Sequence, residues 1–95
     1  MFFIILRFTG DEVRAAEFMD GHMAYIKKGF DDGVFLVGGP ILPAQGGGII
    51  AHGISRSELE ALVSSDPFVI EHVVEPEILE VNPLHMDKRL ESILR

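Results

Sequence analysis

The chain opens on Phe2-Phe3-Ile4-Ile5-Leu6-Arg7-Phe8, a near-continuous run of β-forming apolar residues. A strand that is apolar on successive positions, not on alternate ones, reads as covered on both faces. That demand is severe for 95 residues, because so short a chain buries only a modest share of the surface its unfolded form exposes. The hydrophobic fraction of 47% is generous for this length and points to apolar surface buried between subunits as well as within one.

The remaining punctuation sets an element order. Thr9-Gly10-Asp11-Glu12 offers capping residues, after which Val13, Ala16, Met19, Met23, Ile26 and Phe30 recur at helical spacing up to an Asp31-Asp32-Gly33 stop. Gly21 and Gly29 lower the helical propensity of this segment, and Gly29 marks close packing or the approach to its end. Val34 to Pro40 reads as a second strand and Gly48 to Gly53 as a third. The connector Ile41–Gly47, with Pro43 and the triplet Gly46-Gly47-Gly48, fits an extended hairpin loop whose backbone something approaches closely. Ser55-Arg56-Ser57-Glu58 is a capping box for a short second helix with Leu59, Leu62 and Val63 inward. Asp66-Pro67-Phe68 opens one further turn, Asp66 as N-cap and Pro67 at the first position. A fourth strand covers Val73 to Val81, demoted to an edge or bulge by Pro76. After Asn82-Pro83, Leu84, Met86, Leu90, Ile93 and Leu94 give a short C-terminal helix.

The order is β-α-β-β-α-β with a terminal helix, which is the ferredoxin-like split arrangement, an α+β fold with a four-stranded antiparallel sheet and both helices on one face. The uncovered second face is expected to meet another copy, closing a dimeric α/β barrel. One domain over 1–95 is expected, with a core at 1–81 and an extension at 82–95.

Composition then narrows the function. A formal charge of -7 points away from phosphate backbones. Lys27-Lys28 is an isolated pair, Arg7, Arg14 and Arg56 are scattered, and Lys88-Arg89 sits in the tail, so no nucleic-acid partner is expected. Zero cysteines remove disulfides, thiolate nucleophiles and cysteine-based zinc sites. The first strand lacks the basic region and cleavage site of a signal peptide, and no run is long enough to cross a bilayer, which makes a soluble cytoplasmic protein with no membrane partner the default.

Little else can carry chemistry except His22, set among Phe18, Met19, Met23, Tyr25 and Ile26. If folding brings Asp66 to that imidazole, the carboxylate orients the ring and the two form a general acid/base pair. An unperturbed imidazole titrates near pH 6.5, within reach of neutrality. The competing readings are structural: a helix histidine satisfied by a neighbour for His22, and a turn N-cap for Asp66. The cap and the pairing are compatible, because a carboxylate has two oxygens. Tyr25 lies one turn from His22, where its hydroxyl can reach substrate or its ring can simply pack. The glycine triplet is no P-loop, since a strand follows it and no Lys-Ser/Thr does, although its amides can hold an anion. His22, His52, His72 and His85 are dispersed without metal-ligand spacing, so no metal or other cofactor is expected. Glu71, Glu75, Glu77 and Glu80 read as a solvated strand face, and the methionines as core filler.

His22-Met23-Ala24-Tyr25, Gly39-Pro40, Gly47-Gly48 and Asp66-Pro67-Phe68, taken in order over residues 1–81, resemble the YciI-like (YCII domain) family of dimeric α/β-barrel proteins. The resemblance implies His22 and Asp66 as the catalytic pair facing a cleft. Tyr25, Gly39, Pro40, Gly48 and Phe68 are the expected substrate contacts. It also implies proton-transfer chemistry on a small cyclic acid, lactone or halogenated enol, because a family relative is a dehydrochlorinase of a chlorinated hydroxyquinol and the wider fold group includes muconolactone isomerases and small monooxygenases. The Asp-Gly-Pro-Phe signature of a related group linked to sigma factors is missing, so that role is not carried over. Two readings follow. One is a lyase or isomerase in which His22 moves a proton, and the other is a non-catalytic homodimer that binds a small metabolite or a protein partner through the same cleft.

Overall fold

In a computed structural model that describes residues 1–10, 12–43 and 45–94, the chain forms β1 (Phe2–Phe8), α1 (Glu12–Asp31), β2 (Phe35–Pro40), β3 (Gly46–Ala51), α2 (Arg56–Val63), α3 (Pro67–Ile70), β4 (Val74–Glu80), a 3-10 turn (Lys88–Leu90) and α4 (Glu91–Leu94). The four strands make one antiparallel sheet in the order β2-β3-β1-β4, the ferredoxin-like α+β arrangement. β1 lies in the middle, which is why its flanks must be apolar. Even so, its burial alternates: Phe2, Ile4 and Leu6 are buried while Phe3 and Arg7 are exposed.

The buried set packs with Ala15 and Tyr25 of α1, Leu59 and Val63 of α2, and Phe68 of α3 into one core on the helix side of the sheet. On the other side Phe3, Val37 and Leu79 remain exposed. Phe3 and Val37, with Ile5 and Ile50, help line a shallow hollow of about 500 Å³ there.

Several boundaries differ from expectation for identifiable reasons. β3 begins at Gly46, two residues earlier than its glycines imply, because Gly46 and Gly47 pair with Arg7 and Leu6 across the ladder. It ends at Ala51, since Gly53 turns with a positive φ of 68°. The C-terminal helix starts only at Lys88, where Asp87 caps it by accepting from the Arg89 amide at 2.8 Å, so Leu84 and Met86 lie outside it. The Thr9 hydroxyl donates to the His72 carbonyl at 2.8 Å, which ties the end of β1 to the start of β4. Asp11, a proposed cap of α1, lies outside the described residues, as does Ala44 within the connector. Pro76 does stand on an edge strand. The acidic stretch is not one face: Glu77 bonds Arg7 at 2.6 Å on the open side of the sheet, whereas Glu80, in register with buried Phe2, stands 3.7 Å from Arg56.

The largest correction concerns α1. The stripe it buries is Ala15, Tyr25 and Gly29, with Phe18 and His22 half-buried between them, and not the expected row, of which Val13 is 84% and Met23 54% exposed. Gly29 belongs to the buried stripe because the Phe35 ring lies where a Cβ would stand, 2.1 Å away. A hydrophobicity count passes over both a glycine and a histidine, and so it rotates the helix by about one position.

Candidate active site

α3 is a single turn, and its start is local chemistry. Asp66 has extended backbone angles and its carboxylate accepts from the Phe68 amide at 3.0 Å, while Pro67 occupies the first position, where no N-H is needed. The turn places the Asp66 side chain in full burial against α1. There it meets the imidazole of His22, with Nδ1 2.9 Å from one carboxylate oxygen and 3.0 Å from the other.

Gly21 makes that approach possible. A Cβ on Gly21 would stand 2.9 Å from the Pro67 ring, so the glycine that weakens α1 by propensity is what lets α3 close on it. Phe68 then stacks on the imidazole, ring centroids 4.0 Å apart and planes within 5°. Carboxylate and phenyl together fix both the direction and the plane of the ring. Since an ionised carboxylate only accepts, Nδ1 carries the proton and Nε2 presents a lone pair. Nε2 has no hydrogen-bond partner among the described residues, and it is not sealed in.

His22 stands in the wall of a cavity of about 400 Å³ between α1 and the β2–β3 end of the sheet. Gly39, Pro40, Gly48 and Phe68, four of the expected contacts, also line it. Met19, Met23 and Ile26 supply its helix side, and Leu6, Phe8 and Val74 its floor. The sequence pattern alone assigns these six to core or strand packing. For the three on α1 the functional signal is the apolar stripe beside the buried one, which a helix presents to a cavity as readily as to a core. Met19 and Met23 are thus exposed cavity wall and not core filler. Among the described residues of the lining His22 is the one titratable group, and none is a lysine or arginine.

Two expected residues sit elsewhere. Asp66 lies behind His22, out of the cavity, and Tyr25 is 6% exposed with its ring edge-on to Phe35, centroids 5.6 Å apart. Burial, and then the charge of Asp66, push the Tyr25 phenol well above its usual range, so it is a hydroxyl at any physiological pH. The glycine triplet divides its labour. Gly46, at φ 137°, lets the Leu6 carbonyl come within 1.8 Å of where a Cβ would be, so what approaches it is the neighbouring strand. Gly47 and Gly48 face the cavity. Among the described residues no group of histidines and carboxylates could hold a metal ion, and no helix is long and apolar enough to cross a membrane.

A split βαββαβ sheet with a histidine and a buried carboxylate joined at the edge of an apolar cavity defines the class of domain. A family model for the YCII-related domain matches residues 1–82, and the chain belongs to that family. A search of curated protein sequences finds no match. Among solved structures, the fold is similar to that of 5-chloro-2-hydroxyhydroquinone dehydrochlorinase from Burkholderia phenoliruptrix AC1100, in complex with 2,5-dihydroxybenzoquinone. The TM-score is 0.71 at 22% identity, over 86% of this chain and 94% of that one.

Proposed function

We infer that this protein is a lyase or isomerase that moves a proton on a small cyclic organic acid, lactone or halogenated enol held in the cavity beside His22. The observation that carries the reading is the imidazole itself, tied at Nδ1 to a fully buried carboxylate while Nε2 stands free at an apolar wall. Nε2 takes the proton, and Asp66 holds the tautomer and steadies the resulting imidazolium. The described lining carries no basic side chain, which favours the uncharged members of that set, the lactones and enols, over carboxylates. The fold neighbour's action on a chlorinated hydroquinone supports the same choice. A binding module with no chemistry would use the same cavity with His22 as a hydrogen-bonding group alone.

A screen of lactones, halogenated enols and hydroquinones separates the two. Turnover is expected by the wild type, with a loss of about 10²–10⁴-fold in Asp66→Asn, where the cap on α3 survives but the anion that orients the imidazole is gone. A ligand that binds equally to both and is never converted rejects the enzymatic reading.

We also infer a homodimer through the open face of the sheet. Phe3, Val37 and Leu79 are uncovered there in a single chain, and a second copy offers the same self-complementary surface. Sedimentation at micromolar concentration is expected to give twice the chain mass, and a monomer would exclude this arrangement.

A further inference from the structure

One buried polar side-chain atom among the described residues lacks a hydrogen-bond partner, the hydroxyl of Tyr25. A buried hydroxyl is normally satisfied, and leaving it unpaired disfavours folding. Its ring is held by Phe35 in the core, one helical turn from His22, with the tyrosine and histidine centroids 6.1 Å apart. The nearby carboxylate of Asp66 has the opposite need. It is fully buried and takes two donors, the Phe68 amide at 3.0 Å and the His22 Nδ1 at 2.9 Å, although a carboxylate accommodates about four. The hydroxyl lies within the field of that carboxylate. A donor without an acceptor and an under-supplied acceptor flank the same imidazole.

We propose that Tyr25 is a positioning residue whose hydroxyl donates to Asp66 through one bridging water, so that the working unit is Tyr25, Asp66 and His22 in a row. Tyr25 acts on proton transfer through the carboxylate and does not touch substrate, in keeping with its place behind the cavity wall. The bond is strongest when the imidazole is neutral, because the carboxylate charge is then uncompensated. It therefore holds His22 in the form that accepts a proton, and its loss favours proton uptake. Among the described residues no other titratable group faces the ring. From α1 the facing residues are Met19, Met23, Ile26 and Tyr25, from α3 and its cap Phe68 and Asp66, and from the strands Leu6, Phe8, Val74 and the glycine segments. Arg14, earlier on α1, donates to the Glu71 carbonyl.

The proposal rests on the pairing used in the functional reading, but its test needs no substrate. The ring nitrogens of His22 are titrated by NMR in the full chain and in Tyr25→Phe, which keeps the contact with Phe35. The midpoint is expected to move to higher pH by roughly half a unit to one unit, a three- to tenfold gain in proton affinity. In an Asp66→Asn background the same tyrosine substitution is expected to add no shift. An unmoved midpoint, or an equal shift in both backgrounds, overturns the proposal. Should Asp66→Asn fail to fold, the wild-type spectrum decides: a slowly exchanging hydroxyl proton on Tyr25 supports the bond, and a freely exchanging one rejects it. An inactive protein with the shifted midpoint sinks only the enzymatic reading, and an active one with an unmoved midpoint sinks only this proposal.

Discussion

Replacing His22 with glutamine is expected to lower kcat/KM on a true substrate by about 10²–10⁴-fold while the melting temperature stays within a few degrees of the wild type. The choice of glutamine matters. Alanine would leave the fully buried Asp66 carboxylate without its side-chain donor, at a cost of roughly 1.5–3 kcal/mol for a hydrogen bond to a charged group. That loss of stability would be confused with a loss of chemistry. Glutamine keeps an N-H to donate and a flat group to lie on Phe68, but it has no basic nitrogen to offer the cavity. The measurement is a pair of steady-state kinetics and thermal melts on the same preparation. Turnover within threefold of wild type removes His22 from the mechanism, whatever the melt shows.

Gly46→Ala is expected to destabilise the protein by about 3 kcal/mol or more, the largest effect of a single methyl group anywhere in the described chain. A Cβ there would stand 1.8 Å from the Leu6 carbonyl oxygen and 2.9 Å from its carbon, on a residue with φ of 137°. Both obstacles are backbone, so no rotamer change relieves them. The relief available is to part β3 from β1 at the Gly46 to Arg7 end of the ladder, beneath the cavity floor. At roughly 4–8 °C per kcal/mol for a domain of this size, a drop in melting temperature above about 12 °C follows. Gly47→Ala is the control, since its Cβ would meet nothing nearer than the Gly39 carbonyl at 3.8 Å. Its melt is expected to shift by less than a third as much. Equal shifts at the two positions would mean that strand propensity, and not the close approach, makes Gly46 necessary.

The local devices were legible because each is a short-range rule. Ser55 accepting from the Glu58 amide at 3.2 Å and Asp66 capping α3 are caps read from three or four letters. The order of strands and helices came from apolar runs and glycine-proline stops, and the edge position of β4 from a single Pro76. The site residues His22 and Asp66 were legible as types and as a family pattern. Their meeting was not, because nothing in the spacing of two residues 44 positions apart measures the tilt of α1 against α3.

The Met19, Met23, Phe30 row was taken for the core face since apolar side chains are counted and Gly29 is not, yet the Phe35 ring needs that glycine. Glu75 to Glu80 was taken for one face because the letters share a charge, although the strand's two-residue period sends Glu80 to the side opposite Glu77. Of the two readings open for Tyr25, substrate contact and packing, the ring takes the second, turned inward to Phe35.

The amino-acid order by itself therefore determined the elements, their sequence and the two chemical groups, since capping, period and turn formation depend on neighbours a few bonds apart. The tertiary structure decided which stripe of α1 lines a cavity, that Gly21 and Gly46 are points of contact, and that an imidazole is joined to a buried carboxylate. Those outcomes depend on how closely two backbones approach. That distance is set by packing across the whole sheet, and no local run of residues encodes it.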